Sequence, residues 1–88
     1  MRVAALRVTS VDGAHFGFTP AAGVSNLSQL TVVVENFTGS AIPASLAMEG
    51  AGGTLTSGTD YFASLRRSTN ELWITFGDVA ATGTITAS

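Results

Sequence analysis

The sequence contains no cysteine and no lysine, and His15 is its only histidine. It has two prolines and one tryptophan, and charged residues make up 11% of it, against roughly 25% in ordinary globular domains. Without cysteine there is neither a disulfide to brace a small fold nor a thiolate nucleophile. With one histidine and six scattered acids, a structural transition-metal site lacks ligands. Four arginines against six acids make no basic patch able to neutralise a run of phosphates, so nucleic acid is not an expected partner. No apolar run approaches the ~20 residues of a membrane-spanning helix, so no membrane is expected either. Proton transfer and nucleophilic attack draw on side chains that are scarce here. The inventory therefore points to a protein that binds rather than catalyses, with no cofactor and no metal.

Alanine, threonine, glycine and serine (13, 12, 10 and 9 residues) fill half of the 88 positions. The net charge is −2 and the mean hydropathy +0.38. Residues 1–88 are expected to form one β domain. A chain of this length buries little more than ~60% of its unfolded surface, so its stability margin is thin. With disulfides excluded and a structural transition metal nearly so, oligomerisation or docking on a larger body is the remaining stabiliser. Apolar surface on such a chain is expected to be covered by a partner. Met1-Arg2-Val3 leads straight into an alternating segment, without the basic start, apolar stretch and cleavage site of a signal peptide. Synthesis in a cytoplasm is the expectation.

Period two dominates, and no segment carries a helical pattern. Arg2 to Ser10 sets Ala4, Leu6 and Val8 against Arg7 and Thr9. Val11-Asp12-Gly13 reads as a turn, followed by Phe16 and Phe18 on one face with His15 and Gly17 opposite. A three-residue loop here would pair Val8 with Phe16 and Leu6 with Phe18, keeping the apolar sets together. Leu27 to Phe37 is the strongest strand; its Val32-Val33-Val34 run predicts a central position, partly covered on both faces. Ala44 to Met48 turns Leu46 and Met48 inward, and Gly50 to Gly58 is loose, with a short strand at Thr54 to Thr56. Asp60 to Arg67 sets Tyr61, Ala63 and Leu65 against Phe62, Ser64 and Arg66. Ser68-Thr69-Asn70 closes a hairpin onto Glu71 to Gly77, with Leu72, Ile74 and Phe76 inward and Trp73 and Thr75 outward; Gly83 to Ala87 is the last strand. Seven or eight short strands with turns between them predict an all-β, antiparallel β-sandwich, with a small β-barrel as the alternative.

Leu30-Thr31-Val32-Val33-Val34-Glu35-Asn36-Phe37-Thr38-Gly39 resembles the strand and Asn-x-Thr-Gly turn of bacterial and viral immunoglobulin-like modules. Gly53-Thr54-Leu55-Thr56-Ser57-Gly58-Thr59-Asp60-Tyr61 is similar to the Gly-Thr-Ala-Thr-x-Gly-x-Asp-Tyr signature of Calx-beta domains. Ile74-Thr75-Phe76 and Gly83-Thr84-Ile85-Thr86 loosely echo the closing strands of that family. The resemblance implies an immunoglobulin-like sandwich. The clustered acids of Calx-beta calcium sites are missing here, so it does not carry the ion with it. In kind, a small, cysteine-free, lysine-poor β chain also resembles accessory proteins of tailed-phage particles.

Candidate chemistry is thin. Ser10, Asp12 and His15 lie close enough in sequence to sketch a nucleophilic triad, but on a hairpin with no strand-to-helix elbow or oxyanion hole. The closest two acids are seven positions apart; Glu49 and Asp60 could meet across the glycine-rich loop as calcium ligands. Asn26-Leu27-Ser28 and Asn36-Phe37-Thr38 match the glycosylation sequon, although Asn, Ser and Thr are common in turns. Arg66 and Arg67 form the only adjacent basic pair, suited to carboxylates on a partner. Trp73 is open to three readings: a protein-interface anchor, a sugar-stacking platform together with Tyr61, or the filling of a second small core. The partner-binding candidates are thus Trp73, Arg66, Arg67 and Tyr61. The expected function is that of a non-enzymatic structural protein of a tailed-phage virion, a capsid-decoration, cement or tail-accessory domain bound to a capsid or tail protein lattice, as a homo-oligomer or assembly-bound. The alternative is a carbohydrate- or cell-surface-binding β-sandwich module.

Overall fold

Alternation of apolar and polar residues carries through eight short strands in a computed structural model, which describes residues 4–20, 23–48, 53–81 and 83–87. They are β1 (Ala4–Thr9), β2 (Gly17–Phe18), β3 (Leu30–Glu35), β4 (Ser45–Met48), β5 (Gly53–Thr56), β6 (Tyr61–Arg66), β7 (Glu71–Phe76) and β8 (Ile85–Ala87). The chain is all-β among the described residues, its one helical piece being a single 3-10 turn, Leu27–Gln29, ahead of β3. The strands form two four-stranded sheets, ordered β1-β3-β7-β6 and β2-β8-β4-β5. One core joins them. Val32, Val34, Leu72, Ile74 and Tyr61 of the first sheet cluster with Phe18, Leu46, Met48, Leu55 and Ile85 of the second. The Phe18 and Phe76 rings, one from each sheet, lie 6.0 Å apart. The arrangement is sandwich-like: each sheet must bury one face, and each supplies the cover for the other.

The local reasons are those of the residues. Three consecutive β-branched valines favour an extended, crowded strand. Val32, Val33 and Val34 are all buried in β3, which sits between β1 and β7. β6 and β7 form the expected hairpin, in register from Tyr61↔Phe76 to Arg66↔Glu71, with Asn70 taking the left-handed conformation in the turn (φ 54°). Inward positions of β4 and β7 are as the alternation predicts: Leu46, Met48, Leu72, Ile74 and Phe76 are buried. The segment expected as a strand from Leu27 begins instead with the 3-10 turn. There Asn26 and Gln29 cap reciprocally: Asn26 Oδ1 accepts from Ser28 N (3.0 Å) and Gln29 Oε1 from Asn26 N (3.2 Å).

Two expectations are corrected. The first sheet is mixed, because β1 pairs with β3 in parallel, Ala4↔Leu30 through Thr9↔Glu35, while the other strand pairs are antiparallel. And β1 and β2 make no hairpin: β2 pairs with β8 in the second sheet. The Asp12-Gly13 turn closes a single Val11↔His15 bridge and goes no further. Non-local bonds decide this. Ser10 N donates to Glu35 O (2.9 Å), and the Ser10 hydroxyl donates to Asn36 O. Thr38 N and Gly39 N both donate to Gly13 O (2.7 and 3.0 Å). The turns after β1 and β3 are therefore tied side by side, as parallel strands require. Phe16 meets Phe37 edge-on (6.3 Å) and Phe18 enters the core from the opposite layer, so the two apolar sets of the expected hairpin still face one interior, across it rather than alongside.

Candidate protein-binding face

Pleating sends every second residue of the first sheet away from the core. The registers arrange these outward residues in rows. Arg7 pairs with Val33, Val33 with Trp73 and Trp73 with Ser64. Beside that row lie Ala5, Thr31, Thr75 and Phe62. On its other side lie Thr9, Glu35, Glu71 and Arg66; β1 pairs Thr9 with Glu35 and β6 pairs Arg66 with Glu71. The result is one continuous face built by four strands. Val33 points outward yet is 1% exposed, flanked in register by Arg7 and Trp73. Phe62 is 53% exposed.

The face is electrostatically organised. Arg7 Nη1 lies 3.0 Å from Glu35 Oε2 and 3.2 Å from Glu71 Oε2, so one guanidinium serves two carboxylates. Glu71 Oε1 accepts from Trp73 Nε1 and from Thr69 Oγ1, both at 3.1 Å. The Arg66 guanidinium lies over the Trp73 ring, 4.2 Å from its centroid, a cation–π stack. Trp73 is thus fixed at its edge by Glu71 and across its face by Arg66. The hydrogen bond from Trp73, with those from Arg7 and Thr69, holds the Glu71 carboxyl below the ordinary glutamate range against the opposing effect of desolvation. A carboxylate depressed in the folded state adds stability above its unfolded value and loses it as pH falls through the folded one. Trp73 is the sole tryptophan, so its emission reports this directly. The expected outcome is an acid transition in Trp73 fluorescence with a midpoint below that of an ordinary glutamate, absent in Glu71→Gln. A midpoint at or above the ordinary value contradicts the network.

The other sequence candidates sit elsewhere. Arg67 donates to Gly39 O (2.9 Å) and Ser40 O (3.3 Å), bracing the loop after β3 rather than joining Arg66 on the face. Tyr61 is a correction: as a stacking platform it needs an open ring, but it is 0% exposed, and its hydroxyl donates to Pro43 O. Its partner in register is the inward Phe76, so it belongs to the opposite side of the sheet from Trp73. Burial pushes its hydroxyl pKa up. His15 Nδ1 does lie 3.0 Å from both Asp12 carboxylate oxygens, which lowers the Asp12 pKa. That pair is more than half exposed, and Ser10 is turned to Asn36 instead. Asp60 accepts from Thr56 N (2.8 Å) in the turn before β6, while Glu49 lies outside the described residues. Among the described residues no three His, Cys, Asp or Glu side chains come together to hold a metal, and no pocket indents the surface. Asn26 is taken up by the cap, with Nδ2 on Asp78 Oδ1 (2.7 Å).

Arg7, Glu35, Glu71 and Phe62 join Trp73 and Arg66 on this face, and sequence reasoning did not single them out. Their signal was the outward alternation in four separate strands, which becomes a surface only once the register is known. No protein family matches the chain, and neither does any curated protein or solved structure.

Proposed function

We propose that this chain is a non-enzymatic structural protein of a tailed-phage particle, a capsid-decoration, cement or tail-accessory domain with an immunoglobulin-like sandwich fold, which grips a protein lattice through the outer face of its first sheet. The observation that carries the binding role is that face itself: Phe62 exposed beside a Trp73 held rigid by Arg66 and Glu71, over a buried Val33. Aromatic and arginine side chains in a preorganised patch are the usual anchors of protein interfaces. The virion assignment is supported by the composition, which is cysteine-free, lysine-free and low in charge. Many weak contacts on a repeating lattice add through avidity. The immunoglobulin-like reading is supported by the two four-stranded sheets that share one core.

A sugar-binding role needs free ring faces. Tyr61 has none, and Arg66 covers one side of Trp73. The test is co-sedimentation with purified particles from the source of this chain. Binding is expected, and Phe62→Asp should weaken it by about tenfold or more with an unchanged circular dichroism spectrum. A chain that does not bind particles, but does bind a sugar in a way lost on Trp73→Ala, would overturn the proposal in favour of a carbohydrate-binding module.

A further inference from the structure

Among the described residues, the outer face of the first sheet carries two arginines and two glutamates, unevenly matched. Arg7 is shared between Glu35 and Glu71. Arg66 stacks on Trp73 and forms no ion pair among the described residues. Glu35 and Arg66 lie on strands either side of β7, in the same row as Glu71. The face as a whole is neutral, with an under-neutralised carboxylate on one side of β7 and an unpaired guanidinium on the other. An acidic or a basic partner would gain from only half of it. A surface of the same pattern, turned about a two-fold axis, gains from both halves.

From this we infer that the outer face of the first sheet is a self-association surface, and that its occupant is a second copy of this chain. A two-fold axis along β7 sets Arg66 of each copy on Glu35 of the other. It also brings Trp73 against its counterpart, Phe62 over Thr31, and Glu71 near its own counterpart, each of those carboxylates being already engaged by Arg7, Trp73 and Thr69. A guanidinium and a carboxylate make a directional, charge-assisted contact, and Val33, Trp73 and Phe62 in the neighbouring rows supply the apolar area. Four strands of six residues span about 20 Å by 20 Å, well under the ~800 Å² per partner of a standard stable interface. Association of the isolated chain is accordingly weak. The inference rests on the proposed reading of this face as a protein-binding surface and deepens it by naming the protein met there, a neighbouring copy of the chain on the lattice.

Sedimentation equilibrium of the purified chain from low micromolar to near-millimolar concentration is the test. A reversible monomer–dimer equilibrium is expected. Arg66→Glu and Glu35→Arg should each weaken it by about tenfold or more, because each homodimer then sets like charges together twice. An equimolar mixture of the two variants should dimerise about as well as the parent chain, because both cross-contacts in the heterodimer are again between opposite charges. Circular dichroism of each variant checks the fold. Where Glu35→Arg unfolds through its contact with Arg7, Glu35→Gln with Arg66→Gln replaces the pair and should weaken association without rescue. A parent chain that stays monomeric throughout overturns the inference, and so does a mixture that fails to recover. Particle binding that persists in a strictly monomeric chain leaves the proposed function standing while removing this one.

Discussion

Ile74→Ala lowers the unfolding free energy by about 2–5 kcal/mol and brings the protein close to its unfolding threshold. Ile74 is fully buried at the middle of β7, one of the two central strands of the first sheet, between Val32 on β3 and Ala63 on β6. It belongs to the core cluster shared with the second sheet, so truncating it leaves a void that neither layer can close alone. A domain of this size has about 4–13 kcal/mol in total, with no disulfide in reserve. Ile74→Val, which removes one methylene, costs about 0.5–1.5 kcal/mol. Val11→Ala, at an exposed position, stays within about 0.5 kcal/mol of the parent. Urea titrations followed by circular dichroism test the ranking. Ile74→Ala no worse than Val11→Ala would mean that the two sheets do not share a packed interior.

Gly13→Ala is the second large effect, for a different reason. Gly13 is buried at φ +86°, the left-handed region that an L side chain enters at a cost of roughly 1–2 kcal/mol. A Cβ there would also collide with the Thr38 hydroxyl, in a turn whose Gly13 carbonyl accepts from both Thr38 N and Gly39 N. Forcing those apart adds about 1–3 kcal/mol. Gly58 separates the two contributions, because it has nearly the same backbone (φ +85°) and a methyl group there would meet nothing within 4 Å. Gly58→Ala should therefore show the conformational cost alone, and Gly13→Ala clearly more. Equal losses in the two variants would contradict the tie between the turns after β1 and β3.

Both positions bear on what the sequence makes legible. Ile74 is readable directly: alternation in Leu72-Trp73-Ile74-Thr75-Phe76 assigns inward and outward positions without knowledge of any partner strand. The β6–β7 hairpin is equally local, because its turn residues and both strands are contiguous. Gly13 is the opposite case. Asp12-Gly13 signals a turn correctly, with both residues at positive φ. Whether a hairpin follows depends on Glu35, Asn36, Thr38 and Gly39, more than twenty positions away, and nothing in the turn residues encodes that. The parallel β1–β3 pairing was invisible for the same reason, and with it the meeting of Arg7, Glu35 and Glu71. Tyr61 was legible in principle: it alternates with Ala63 and Leu65, against Arg66 on the other face. A reading by residue type grouped it with Trp73, where a reading by parity separates the two. Within the candidate face, Trp73 and Arg66 were reachable from sequence, and Arg67 was separated from them only by its bonds to Gly39 and Ser40.

The shared guanidinium also reconciles two acids that the sheet sets side by side. After the Val34↔Leu72 pair, the register of β3 and β7 brings Glu35 alongside Glu71, and like charges on neighbouring strands repel. Arg7, 28 positions before Glu35, is brought to both by the parallel pairing of β1 with β3. The edge strand is a latch that discharges a tension left by the three strands inside it.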